Sequence, residues 1–311
     1  MNRLRRMLSR DPRLYQIATL AGLLLYGMLW LGFDITPLRA ALLIGVALAT
    51  QFALTRLFRL PSFDPRSPTI SALSLCLLLR TNSHGIAAAA AFVTIASKFL
   101  LRWNGKHLFN PTNFGIVVAM LATGAVWVSP GQWGNAAFLA FLFACAGSLV
   151  VHRAARSDVT IAFLASYLFL IFARSMNLGE PLAIPLHRLE SGALLLFSFF
   201  MISDPKTTPD SRAGRILFSA LVATGAAFIQ FRLFRTNGPI WSLALFSLLV
   251  PVIDLALPGR RYAWNVTPLL PKGDSHASLG NLDPDPPLRP SRARGPRVLR
   301  VLRGEGRHEA L

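Results

Sequence analysis

Apolar residues in this chain gather into long blocks separated by short polar stretches, and the block lengths set the first expectation. A bilayer core about 30 Å thick needs roughly 17 to 25 apolar residues per helix, because each residue rises about 1.5 Å. Ten segments qualify as spans: Leu14 to Phe33, Leu38 to Phe58, Pro68 to Leu79, His84 to Leu101, Thr112 to Val128, Asn135 to Val151, Val159 to Ala173, Ser191 to Ile202, Arg215 to Phe231 and Pro239 to Leu257. Pro68 to Leu79 and Ser191 to Ile202 are short. They suit half-spans or tilted helices shielded by protein, so the pattern admits eight to ten spans.

The distribution of Lys and Arg chooses ten and orients them, since cytoplasmic loops keep positive charge. With ten spans the inside segments carry 18 Lys and Arg up to Arg261, among them Arg13, Arg66, Lys98, Arg102, Lys106, Arg156, Lys206, Arg215 and Arg261. The outside segments hold six: Arg39, Arg80, Arg174, Arg188, Arg232 and Arg235. Both ends are therefore expected in the cytoplasm. The chain divides into a basic N-terminus (1–13), a transmembrane domain (14–258) and a basic, Pro/Gly-rich tail (259–311) whose composition predicts disorder. Leu14 to Phe33 is too long for a signal-peptide core and no small-residue cleavage site follows it, so it reads as a retained first helix.

Composition agrees. The chain has 311 residues, 53% hydrophobic and only 15% charged, with a mean hydropathy of +0.48. A water-soluble fold of this size has no interior for so much apolar sequence. The fold class expected is an all-α polytopic membrane protein of about ten transmembrane helices. The net charge of +18 comes from the inside bias and the Arg-rich tail. It points to anionic lipid headgroups at the basic termini and not to nucleic acid, because no aromatic-basic recognition module accompanies it.

Self-contained catalysis is not indicated. The chain has no Gly-x-x-x-x-Gly-Lys-Ser/Thr, no strand followed by Gly-x-Gly-x-x-Gly, no His-Glu-x-x-His and no Gly-x-Ser-x-Gly. Cys76 and Cys145 both fall in expected spans, so they read as small core residues and neither a disulfide nor a metal centre is expected from them.

Three places concentrate polar residues against the hydropathy. In the first, Lys98 to Gly115, Gly105 permits a tight turn and Pro111 suits a first helical position, so Asn110 stands as an N-cap with Asn113 one turn on. Ordinary capping explains these residues. So does an anion seat, where free amides and the helix dipole favour a phosphate with Lys106 and Lys98 to assist. In the second, Ser203-Asp204-Pro205-Lys206-Thr207-Thr208 interrupts an apolar helix and leads to Gly214-Arg215, which reads as an interfacial turn or as a cofactor or ion contact. In the third, Pro251 should kink the last span and Asp254 lies nearly within the membrane, a candidate functional carboxylate.

These motifs carry a resemblance. Gly105-Lys106 leading to Phe109-Asn110-Pro111, then Phe200-Met201 with Ser203-Asp204-Pro205 and Gly214-Arg215, then Val250-Pro251-x-x-Asp254, resemble the B subunit of the sodium-translocating NADH:quinone reductase and the D subunit of the Rnf electron-transport complex across about Pro68 to Asp254. The resemblance implies a bacterial inner-membrane protein of two five-helix halves with broken helices. It also implies flavin and partner redox subunits. In that family FMN is esterified to the Thr of a Ser-Gly-Ala-Thr loop; the corresponding loop here, Val128 to Gly134, has no Thr, and Ser191-Gly192-Ala193 continues into Leu194. Covalent FMN is therefore not expected. The resemblance then leaves two forms of an electron-transport component: one that binds FMN or riboflavin noncovalently at the loops, with Lys98, Gly105, Lys106, Asn110, Pro111, Asn113, Asp204, Pro205, Lys206, Thr207, Thr208, Gly214 and Arg215 as candidate contacts, and one that lacks flavin and serves as a cofactor-poor partner in a redox complex. Two other readings of the architecture are a transporter or channel for a small solute or ion, and an accessory membrane protein of a biosynthetic pathway.

Overall fold

A computed structural model describes residues 11–129, 156–189 and 191–262. The expected span Asn135 to Val151, most of the loop Val128 to Gly134, Cys145 and the tail from residue 263 lie outside the described residues. Helix α1 covers Pro12–Leu29, α2 Pro37–Leu57, α3 Arg66–Leu78, α4 His84–Leu100 and α5 Pro111–Thr123. After the undescribed stretch come α6 (Ser157–Asn177), α7 (Ala183–Leu189), α8 (Gly192–Leu196), a π-helical turn Phe197–Met201, α9 (Arg212–Phe231), α10 (Gly238–Ser247) and α11 (Val250–Ala256).

Starts are set by local chemistry. Pro occupies the first turn of α1, α2, α5 and α10, where its missing amide hydrogen costs nothing, and Asp11, Thr36, Ser83, Asn110 and Ser211 accept from first-turn amides as caps. Helices α2, α6 and α9 are long and apolar enough to cross a membrane, and α10 with α11 makes a fourth span if the bent pair is one. Shorter apolar helices accompany them: Arg13–Leu29, α4, α5 and Gly192–Met201. Large side chains such as Leu25, Phe52, Phe92, Leu121, Phe169 and Leu245 point outward, as a lipid-facing surface requires.

One expected span is corrected, and two take the half-span and kinked forms that the sequence suggested. Thr112 to Val128 is not one helix: α5 stops at Thr123, Gly124 takes φ 61°, and Val126–Val128 forms strand β4. The physical reason is a left-handed cap that only Gly adopts freely, followed by a β-branched pair. Pro68 to Leu79 is likewise a 13-residue half-helix, α3, running into strand β1 (Leu79–Thr81). These two strands pair antiparallel, Leu79 with Val128 and Thr81 with Val126, so the extended backbone is satisfied away from water. Pro239 to Leu257 breaks between α10 and α11 with a 53° bend, and Pro251 opens the second piece as its pyrrolidine demands.

In the first half α4 lies against α2 and α5, with α3 held by α1 and α2; in the second, α9 lies against α6 and α10. Helices α5 and α10 join the halves. Close approach depends on glycine. A methyl at Gly115 would land on Thr94 Oγ1, one at Gly225 on Phe246 and Ser242, and one at Gly238 on the Ala226 carbonyl, so α4/α5 and α9/α10 are both small-residue contacts.

Candidate functional site

The polar stretches converge at one end of the bundle. The first is a hairpin: β2 (Arg102–Trp103) pairs with β3 (Lys106–His107), and the turn residues Asn104 and Gly105 both have positive φ, 50° and 77°. That two-residue turn matches strand twist and favours Asn-Gly, which is why this sequence makes it. It delivers Lys106 inward. Lys106 Nζ lies 3.0 Å from Asp210 Oδ1 and 2.7 Å from Asp254 Oδ2, while Asp254 Oδ1 accepts from the Asp210 amide at 2.8 Å. One ammonium thus ties the hairpin, the loop before α9 and the bent last helix.

Asn110 makes the second junction. Its Oδ1 accepts from the Asn113 amide at 3.1 Å, and its Nδ2 donates to the Met201 carbonyl at 3.2 Å and to Asp204 Oδ2 at 3.4 Å. Asp204 Oδ1 accepts from the Lys206 amide, and its carbonyl accepts from the Thr207 and Thr208 amides. The N-terminus of α5 therefore already faces a carboxylate. Burial pushes the Asp204 carboxyl above its usual range, against the Lys206 amide and the positive charges of Lys98, Lys206 and Arg156. Pro111 and Pro205 are buried in the same wall, and Thr208 Oγ1 accepts from Arg156 Nε at 3.1 Å.

Charge pairing separates the candidate cations. Arg215 is held by Asp158, Nε to Oδ2 at 2.8 Å, and donates to the Asp210 carbonyl, while Gly214 fits tightly against Ile253 and Pro209. Lys98, buried in the last turn of α4, donates to Gln51 Oε1 at 3.1 Å and Ser67 Oγ at 2.8 Å. Thr207 Oγ1 donates to the Asp204 carbonyl at 3.2 Å, and Gly105 contributes backbone geometry. Asn113 differs from all of these: it is fully buried, and neither Nδ2 nor Oδ1 has a partner among the described residues.

Sequence reasoning missed several participants. Asp158 and Asp210 neutralise the expected cations, and a four-member cluster, Asp11–Arg13–Asp64–Arg66, pins the start of α1 to the start of α3 at 2.5–2.8 Å. In that cluster the arginines outweigh burial and hold both carboxyls below their ordinary value. The available signal was an Asp at each helix start, Asp11-Pro12 and Ser157-Asp158. His107 was also overlooked; burial, with Lys98, Arg102 and Lys206 nearby, pushes its imidazole down to about 3, so it is neutral.

The profile of the NQR2, RnfD, RnfE family matches residues 123–263. Proteins named as the D subunit of an ion-translocating oxidoreductase complex are similar: 28% identity over 186 residues in Escherichia fergusonii (59% of this chain, 49% of that one), 31% over 133 residues in Vibrio vulnificus (42% and 36%), and 26% over 301 residues in Pseudomonas paraeruginosa (76% and 87%). By these matches the chain is similar to the RnfD proteins. It spans about half or less of the first two relatives and most of the third. With the apolar helices, the similarity makes this RnfD-like chain a multi-pass helical membrane protein.

Proposed function

We propose that this protein is an integral component of an ion-translocating electron-transport complex, working with other membrane or redox subunits and binding flavin noncovalently at the junction of its two halves. The observation that carries the flavin reading is Asn113. A fully buried carboxamide with both ends unpaired is costly, at about 1–3 kcal/mol per unsatisfied group, unless a ligand completes it. The pyrimidine edge of an isoalloxazine ring offers alternating acceptors and an N–H donor, which one carboxamide can meet with a donor and an acceptor. Asn110 and the Asp204 loop then hold the end of α5 in register. Flavin, when bound, would supply one- and two-electron chemistry.

The same reading takes the ten-span topology with both termini in the cytoplasm of a bacterial inner membrane, which puts the convergent loops on the cytoplasmic face and basic termini against anionic headgroups. The test is a visible spectrum in mild detergent before and after acid precipitation. Flavin absorbance at about 450 nm that leaves with the acid, and is lost in Asn113→Leu, is the expected result. Protein without flavin, reconstituted and still not binding it, would sink the flavin reading. A second reading rests on the half-helices α3 and α5, whose ends run into paired strands as in solute pathways. Solute flux into proteoliposomes that Asn110→Ala abolishes would favour it.

A further inference from the structure

The salt bridges at the convergent end leave a specific remainder. Lys106, Arg215, Arg13 and Arg66 each have carboxylate partners within ion-pair distance. Arg102, Lys206 and Arg261 have none among the described residues. Arg102 Nη2 donates to the Gly105 carbonyl at 3.2 Å, and its Nε is buried without a partner. Arg261 Nη1 approaches the other side of the same turn, 3.6 Å from where a Gly105 side chain would begin. Lys206 lies near enough to feel the charges of both Arg102 and Arg261, and its amide is fixed by Asp204, which Asn110 holds in turn.

Three cations of one sign gathered around one glycine turn repel one another, and apart from Asp204, which accepts from the Lys206 amide, no carboxylate among the described residues bonds to them or lies within ion-pair distance. Two guanidinium forks and an ammonium match the oxygens and charge of a phosphate better than those of a single carboxylate. Gly105 leaves the turn backbone uncovered, so an anion can reach it. We infer that the hairpin turn at Gly105, with Arg102, Lys206 and Arg261, is the seat of a phosphate group. It differs from the anion seat that the sequence suggests at the start of α5 with Lys106 and Lys98, because the Lys106 charge is already cancelled by Asp210 and Asp254. The inference rests on the flavin reading for one of two sources, the phosphate of FMN. The other source is the headgroup of an anionic phospholipid.

The test uses full-length protein in nanodiscs of neutral phosphatidylcholine, compared with the double variant Arg102→Gln/Lys206→Gln. Thermal stability is first read with inorganic phosphate against chloride at equal ionic strength. Wild type should gain stability with phosphate and the variant should not, whichever source is natural. FMN and riboflavin are then titrated by fluorescence quenching. At least tenfold tighter binding of FMN in wild type, lost in the variant while riboflavin affinity is kept, assigns the seat to the flavin phosphate. Equal flavin affinities, or no flavin binding at all, with phosphatidylglycerol retained by wild type and released by the variant in native mass spectrometry, assign it to lipid. No phosphate-specific stabilisation in wild type, or equal stabilisation and equal ligand retention in the two proteins, overturns the inference. The no-flavin outcome would by itself refute the flavin reading while leaving the phosphate seat intact.

Discussion

Removing the Lys106 ammonium should be the most damaging single charge change in this protein, and the size of the loss follows from its surroundings. Lys106 is buried between Asp210 at 3.0 Å and Asp254 at 2.7 Å. At an effective dielectric of about 20, each contact is worth roughly 5–6 kcal/mol before desolvation. Taking three charges out of water offsets much of that gain, so the intact triad contributes little net stability. Breaking it is another matter. Lys106→Met leaves two carboxylates facing each other without a counter-charge, and losing one partner of a buried pair costs about 3–5 kcal/mol. Asp254→Asn keeps the Lys106–Asp210 pair, but its single oxygen can serve only one of the Asp210 amide and the Lys106 ammonium, so it loses one hydrogen bond to a charged group and should cost about 1.5–3 kcal/mol. Intrinsic tryptophan fluorescence melting in detergent reads both. At about 2–4 °C per kcal/mol for a domain of this size, Lys106→Met should melt some 6–20 °C early and Asp254→Asn should lose about half as much. Lys106→Met melting with wild type, or Asp254→Asn melting as early as Lys106→Met, would refute the counter-charge argument.

Other consequences can be measured alongside. His107 is held near 3 in the folded protein against about 6.5 unfolded, so its contribution is complete above pH 6.5 and declines as pH falls toward 3, by about 1.4 kcal/mol per unit; His107→Gln should flatten the acid limb of a melting-temperature profile between pH 6.5 and 5, and an unchanged slope would contradict the buried neutral imidazole. Gly115→Ala must displace Thr94 and press on the Ala90 carbonyl, at about 1–3 kcal/mol of overpacking. Adding Thr94→Ala should recover most of that loss, and simple additivity in the double variant would argue against the contact. Asn110→Ala removes a helix cap and the donor to the Met201 carbonyl, for about 2 kcal/mol together, whereas Asn110→Ser, which still caps, should lose about half as much in chemical denaturation.

What was legible in the sequence was whatever depends on neighbours along the chain. Block length and the Lys/Arg distribution announced a helical membrane protein, and Asn110-Pro111 and Pro251 announced a helix start and a break, because capping, φ restriction and hydropathy act over a few residues. The strand pair β1–β4 was hidden for the same reason. Leu79–Thr81 and Val126–Val128 are apolar enough to continue a span, and only their pairing with each other, far apart along the chain, makes extended backbone stable in an apolar layer.

The candidate site divides the same way. The sequence by itself determined the class of the protein, the polar stretches that interrupt its spans and the residue types they offer. Only the tertiary structure decided which charges are cancelled. Asp158, Asp210 and Asp254 neutralise Arg215 and Lys106 from 57 to 148 positions away, while among the described residues Arg102, Lys206 and Arg261 have no ion-pair partner and Asn113 has none for either end of its amide. Local composition carries charge and shape; their cancellation depends on distances of a few ångströms between residues that the chain holds far apart, and those distances exist only once the helices have packed.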